Sequence, residues 1–267
     1  MKIKSLLQCT LLLPAFILAS CSKDDNSPTP PPDKSCRIAA ITSKSGSTAV
    51  SYTLSYDNDS RVSKIGTDDF YKTRYNFNYA PGLLTRNGYF DHWDGQLTSE
   101  LRAELNSMGL PTLITRKSYD YTPTGQPLKH TATTTYIYEY NSQGELQLTT
   151  QKNEYIGRPA SNTTSTTTYT WANGNMIKEE VAGGVTTNYE YYTDKPVQKG
   201  DPIAINSLVI TGINPFKNKN LVKSSSNGST VVNINYEYDE TGKIKTTTLT
   251  GSTAANSSEM RFQYSCN

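Results

Sequence analysis

The sequence predicts an all-β fold: one long antiparallel β-meander curled into a barrel or half-barrel, water-soluble on its outside. Three observations carry this. A corner made of Asp or Asn with glycine three residues on recurs along the chain after tyrosine-rich segments. The flanking segments alternate aromatic or aliphatic residues with polar ones, the period-2 mark of a half-buried strand. No long amphipathic helix is evident to cover the apolar face, so the sheet has to curl upon itself.

The chain opens with Lys2 and Lys4, then an apolar run to Ala19 broken by Gln8, Cys9 and Pro14. A charged start followed by a short apolar stretch reads as a secretory leader over residues 1–20. It ends in Leu18-Ala19-Ser20-Cys21, which matches the bacterial lipobox. The thiol of Cys21 takes a diacylglycerol before the peptidase cuts, and the small residues let the chain enter that peptidase. The expected result is a membrane partner held through an N-terminal lipid. Residues 21–35 read as a tether, because "SPTPPP" from Ser27 is extended and semi-rigid. A single β-meander domain is expected over residues 36–267.

The strands follow in order. "YTLSYDNDSRVSKI" from Tyr52 puts Tyr52, Leu54 and Tyr56 on one face, and Asp57 opens a turn. Ser60 stands where glycine is expected, and serine resists positive φ. "YNFNYAPGLLTRN" from Tyr75 is a weaker copy. "LTSELRAELNSMG" has leucines four apart, as a helix would. Leu101, Ala103 and Leu105 also alternate, and the segment ends like its neighbours, so it is read as a strand. "YDYTPTGQPLKH" from Tyr119 and "YTWANGNMIKEE" from Tyr169 are further weak copies. The clearest copies are "YIYEYNSQGELQLTT" from Tyr136 and "YEYDETGKIKTTTL" from Tyr236. In the last, Val232, Ile234, Tyr236 and Tyr238 share a face, and Gly242 follows Asp239 at the spacing of a type I turn with a glycine bulge. Nineteen tyrosines against six phenylalanines bring hydroxyls into the curl that need partners.

Of the four cysteines, Cys9 leaves with the leader and Cys21 carries lipid, which leaves Cys36 and Cys266 at the two ends of the domain. Outside the cytoplasm a disulfide between them is expected, with two unrelated thiols as the alternative. Without Lys2 and Lys4, the 26 basic residues fall to parity with the 24 acidic ones. This balance argues against nucleic acid as a partner.

The Tyr-Asp-x-x-Gly corners resemble the YD repeats of Rhs-type proteins. The chain from Cys36 to Cys266 resembles a family of Bacteroidetes outer-membrane lipoproteins of unknown function. The lipobox, "LNSMGLPTLI", "KNKNLVKSSS" from Lys217 and the tyrosine hairpins carry that likeness. It implies a porin-like β fold and supplies no catalytic residues. Ser22-Lys23-Asp24-Asp25 resembles the export signal of surface-exposed Bacteroidetes lipoproteins. The expected address is thus the outer membrane, lipid-anchored and surface-exposed, with a periplasm-facing placement as the alternative. A membrane-embedded barrel needs an apolar outer band, and the outward positions here are Thr, Asn, Lys and Glu.

Signals for chemistry are weak. The two histidines, His92 and His130, have no second histidine at metal-ligand spacing, and no cofactor motif is present. Asp57, Asn58 and Asp59 offer oxygens for calcium but lack the EF-hand pattern. Asp68-Asp69 and Glu179-Glu180 are read as solvated turn charges rather than acid/base pairs, because strand neighbours point to opposite faces. No catalytic residue and no metal site is assigned. "YFDHWDG" is the most binding-like loop, which makes Phe90, His92 and Trp93, together with Trp171, the candidate ligand contacts. The expected role is non-enzymatic: binding a glycan or a surface protein, or acting as a structural component of the envelope. The alternative is a glycan-processing enzyme with carboxylates in the sheet groove.

Overall fold

The alternating segments form strands, and each strand pairs antiparallel with its neighbours in sequence. A computed structural model describes residues 36–120, 126, 128–228, 230–251 and 257–266. Cys21, the leader and the tether lie outside the described residues, as does most of the Tyr119 corner. The strands are β1 (Arg37–Ser45), β2 (Thr48–Tyr56), β3 (Val62–Thr67), β4 (Thr73–Ala80), β5 (Leu83–Phe90), β6 (Gln96–Leu105), β7 (Pro111–Asp120) and β8 (Lys129–Tyr140). They continue as β9 (Leu146–Tyr155), β10 (Thr163–Ala172), β11 (Asn175–Val181), β12 (Thr186–Pro196), β13 (Asn220–Asn227), β14 (Thr230–Tyr238), β15 (Ile244–Gly251) and β16 (Ser257–Ser265). The segment with leucines four apart is β6, a strand.

Register follows the pattern of side chains. Ile234 faces Leu249 and Tyr236 faces Thr247, while Asn235 faces Thr248 on the other side of the sheet. β1 pairs with β16, from Arg37 opposite Ser265 to Ser45 opposite Ser258, so the sheet closes into a full barrel rather than a half-barrel. The Cys36–Cys266 disulfide sits at the end of this closing pair. The outer wall carries Asn76, Asn78, Glu100, Arg102, Lys117, Asn233, Glu237 and similar residues. Its ion pairs, such as Lys178–Glu180 at 2.6 Å and Arg261–Glu259 at 2.6 Å, are partly exposed and contribute little each. No apolar band runs around the outside among the described residues.

All four Asx-x-x-Gly/Ser corners lie at one rim and share one hydrogen-bond pattern. Asp57, Asn106, Asn141 and Asp239 each accept two backbone N–H groups on a side-chain oxygen, two and four residues on, at 2.8–3.0 Å. The fourth residue takes a left-handed conformation. Gly109, Gly144 and Gly242 have φ of 72°, 78° and 79°, and Ser60 adopts 66° despite its side chain. Sequence reading expected serine to resist that conformation; the surrounding hydrogen bonds hold it there.

The tyrosines explain themselves at the same rim. Tyr56, Tyr79, Tyr191, Tyr236 and Tyr264 each donate a hydroxyl to a carbonyl at the start of the preceding strand, at Ile38, Val62, Met176, Val222 and Ile244, over 2.6–3.0 Å. Bulges interrupt several of these ladders nearby, and a bulge leaves a backbone group to be satisfied from elsewhere. Phenylalanine would fill the same space and leave those carbonyls unmet.

One expectation fails. The apolar face is not covered by the sheet alone. A helix, α1 (Pro202–Thr211), lies between β12 and β13 and packs Ile205 into the barrel core with Ile41, Phe77 and Ile234. Asp201 caps its start, accepting from Ile203 N and Ala204 N, and Pro202 occupies the first turn. Gly212 ends it at φ 81°, with its N–H on Leu208 O. The helix sits inside the wall with its apolar residues spread around its axis and Asn206 and Ser207 toward the neighbouring cavities, so no single apolar stripe forms. The periodicity that reveals a surface helix is therefore missing from "PIAINSLVIT".

Candidate functional site

The meander sorts its connections by rim. The corners, the disulfide and the segment bearing α1 share one end; the loops after β3 and β5 belong to the other. At that second rim, Phe70 and Tyr71 follow β3, and Phe90, His92 and Trp93 follow β5. The two loops are clipped together by His92 N to Tyr71 O at 3.2 Å and Asp91 N to Lys72 O at 3.3 Å. Four rings result in contact. Tyr71 stacks on Phe90 at 4.9 Å, Phe70 meets Tyr71 edge-on at 5.2 Å, and Phe70 lies 4.5 Å from His92. Phe70 is 71% exposed and Tyr71 42% exposed. Polar groups border the rings: Arg74 holds Asp91 at 3.1 Å and lies over Tyr89 at 4.4 Å. Phe90 and His92 thus come together as expected. Their partners Phe70 and Tyr71 were missed, although "DDFYK" offered the same signal of adjacent aromatics in a polar loop. The side chain of Trp93 lies outside what the structure describes.

Trp171 is elsewhere. It sits at the corner rim, where Nε1 donates to Leu146 O at 2.7 Å, and it fixes the β10–β11 hairpin against β9.

The other candidate acids also find places. Asp68 accepts from Ser51 N at 2.6 Å, and Asp69 accepts from Thr67 Oγ1 at 2.8 Å, both as loop chemistry. Asp57 and Asp59 both engage Arg61, at 2.8 and 2.7 Å. Among the described residues no group of three His, Cys, Asp or Glu converges as metal ligands would. His130 contacts Ala132 O and Thr133 Oγ1.

Glu179 corrects the reading of a solvated turn charge. It is in the middle of β11, opposite Tyr169, and faces the lumen, whereas Glu180 faces out and pairs with Lys178. Its Oε2 accepts the Tyr189 hydroxyl at 2.9 Å. Two lumenal cavities, of about 560 Å³ and 260 Å³, flank α1, and Glu179, Asn206, Ser207 and Phe216 line both. A third, of about 830 Å³, lies toward the corner rim between α1 and residues including Arg37, Arg61 and Lys199. The charge of Glu179 is felt by its neighbours. Burial first, then this carboxylate, raises the pKa of Tyr189. Tyr169 is pushed to about 12, mainly by burial.

Asp201 is the other inward acid, and it is only 1% exposed. Besides the helix N–H groups it meets Val222 N and the Tyr236 hydroxyl, each at 3.4 Å. Burial raises its pKa, against the lowering effect of those bonds. Its place is structural, tying the helix start to β13 and β14.

No family model and no curated protein matches the chain. Two solved structures are similar to it. One is a porin-like protein from Bacteroides uniformis ATCC 8492, 13% identical, with a TM-score of 0.56 over 85% of this chain and 98% of that one. The other is a porin-like protein from Bacteroides vulgatus ATCC 8482, 14% identical, with a TM-score of 0.54 over 85% and 98%. At this identity the likeness is one of fold: the chain folds as a porin-like all-β barrel.

Proposed function

We propose that this protein is a non-enzymatic, lipid-anchored component of the bacterial outer membrane that binds glycan through its aromatic rim. The carrying observation is the cluster of Phe70, Tyr71, Phe90 and His92, held by two clipped loops with Phe70 largely in water. Planar rings bordered by a carboxylate and a guanidinium match a sugar, which presents apolar C–H faces edged with hydroxyls. The lipobox at Cys21 and the polar outer wall support an anchored barrel rather than an embedded one. The charged Ser22–Asp25 stretch supports display on the cell surface. Against the enzyme alternative stands Glu179, the only carboxylate among the described residues lining the two cavities beside α1, where glycoside hydrolysis ordinarily uses two facing carboxyl groups.

The test is a glycan-array screen of the full-length protein in non-ionic detergent, repeated with Phe70→Ala. A bound glycan that loses about tenfold or more in affinity on that change supports the rim. Binding indifferent to Phe70→Ala, or no glycan bound at all, removes the proposal. Protease shaving of intact cells checks the address, since full protection contradicts surface display.

A further inference from the structure

The two cavities beside α1 share one charged group. Glu179 projects into both, and among the residues lining either there is no lysine, arginine or histidine. One oxygen of the carboxylate accepts from Tyr189; the other accepts no hydrogen bond among the described residues. Around it stand aromatic rings. Tyr52, Tyr189 and Phe216 border the larger cavity, and Tyr136, Tyr138 and Tyr169 the smaller, with Tyr169 edge-on to Phe216 at 5.5 Å. Met176 and Met260 add polarizable sulfur.

Each of these points the same way. A carboxylate lining a confined space whose other lining residues carry no positive charge leaves negative charge to be met. Ring faces are electron-rich and attract cations, more so where water is displaced. The cavity toward the corner rim is lined differently, by Arg37, by Arg61, which Asp57 and Asp59 already pair, and by Lys199, which donates to Cys36 O.

We infer that the lumen beside α1 is a binding site for a small organic ammonium ion. Glu179 is the counter-charge, and Tyr169, Tyr189 and Phe216 form an aromatic surround. Asn206 and Ser207, presented by the helix, accept or donate hydrogen bonds to polar substituents of the guest. The site is independent of the glycan rim and stands or falls separately.

The test is isothermal titration of the full-length protein in non-ionic detergent with choline and with its uncharged carbon isostere, 3,3-dimethylbutan-1-ol. Choline is expected to bind at least about tenfold more tightly than the isostere, a difference of about 1.4 kcal/mol. Glu179→Gln keeps the shape and an acceptor for Tyr189 and should abolish that preference. Glu180→Gln, on the outer wall, and Phe70→Ala, on the rim, should leave it intact. Near-ultraviolet circular dichroism verifies that each variant keeps its tertiary packing. Equal affinity for the two probes, no detectable choline binding, or a preference that survives Glu179→Gln in a folded variant overturns the inference.

Discussion

Replacing Ser60 by glycine should stabilise the barrel. At the three sister corners, glycine occupies the left-handed position at φ of 72–79°; at the first corner serine occupies it at 66°. A side chain in that conformation costs roughly 1–2 kcal/mol. Glycine has more freedom to lose on folding, which returns roughly 0.5–1 kcal/mol. The net gain is therefore about 1 kcal/mol. Nothing else is expected to change. Ser60 is exposed, its hydroxyl makes no hydrogen bond among the described residues, and its backbone N–H remains on Asp57 O at 3.1 Å. In urea unfolding followed by intrinsic fluorescence, the midpoint should rise by a few tenths of a molar with an unchanged slope. The melting temperature should rise by roughly 2–4 °C for a domain of this size. The reverse change isolates the cause. Gly109 has open space around its missing Cβ, so Gly109→Ser tests backbone conformation alone and should cost about the same amount. A midpoint that falls or stays still in Ser60→Gly, or a neutral Gly109→Ser, refutes the reasoning.

Other outcomes follow from the same structure. Gly212→Ala should be severe, because a Cβ there meets Phe77 at 2.5 Å and φ is 81°; a loss of about 2–4 kcal/mol by chemical denaturation is expected, and a neutral result would unseat the helix packing. Reducing Cys36–Cys266, which closes a loop with a sequence separation of 230, should cost up to about 5 kcal/mol, and reductant that leaves the unfolding midpoint unmoved would contradict this. Tyr56 and Tyr79, each pushed to about 12 by burial, should resist ionisation past the ordinary value near 10. A raised folded pKa means that their contribution is whole below about 10 and is lost as pH climbs toward 12. Absorbance titration should show a late tyrosinate fraction that appears with alkaline unfolding. The raised pKa of Asp201 has the same sign: wild type should be most favoured over Asp201→Asn at low pH and lose ground as pH rises above about 4, and an opposite trend would mean that the cap is held ionised.

Much of the wall was legible because its rules are local. Alternation along "VNINYEYD" and the Asx-x-x-Gly spacing need only neighbours in sequence, so strands, corners and meander follow from them. The Cys36–Cys266 bridge was legible by subtraction. Closure was not, since pairing β1 with β16 depends on the accumulated stagger of every strand between. The helix hid for a different reason. Its apolar residues are spread around the axis and form no single stripe, so only its caps, Asp201-Pro202 and Gly212, marked it. Glu179 was misread because the question was whether it paired with Glu180. The informative fact was that a strand sends one of two adjacent acids inward. Phe70 and Tyr71 reach Phe90 and His92 only through loop-to-loop hydrogen bonds that no single segment encodes.

The seam has a consequence for chain order. The Cα atoms of Cys36 and Cys266 lie 4.1 Å apart, so the wall is a ring whose beginning and end coincide. Every strand then has two permanent neighbours, and none is an edge. A circular permutant that joins the two ends by a short linker and reopens the chain at the exposed Gly46–Ser47 tip keeps every strand pair. Its new ends would then lie at the opposite rim, on the side of the aromatic loops rather than on that of the corners.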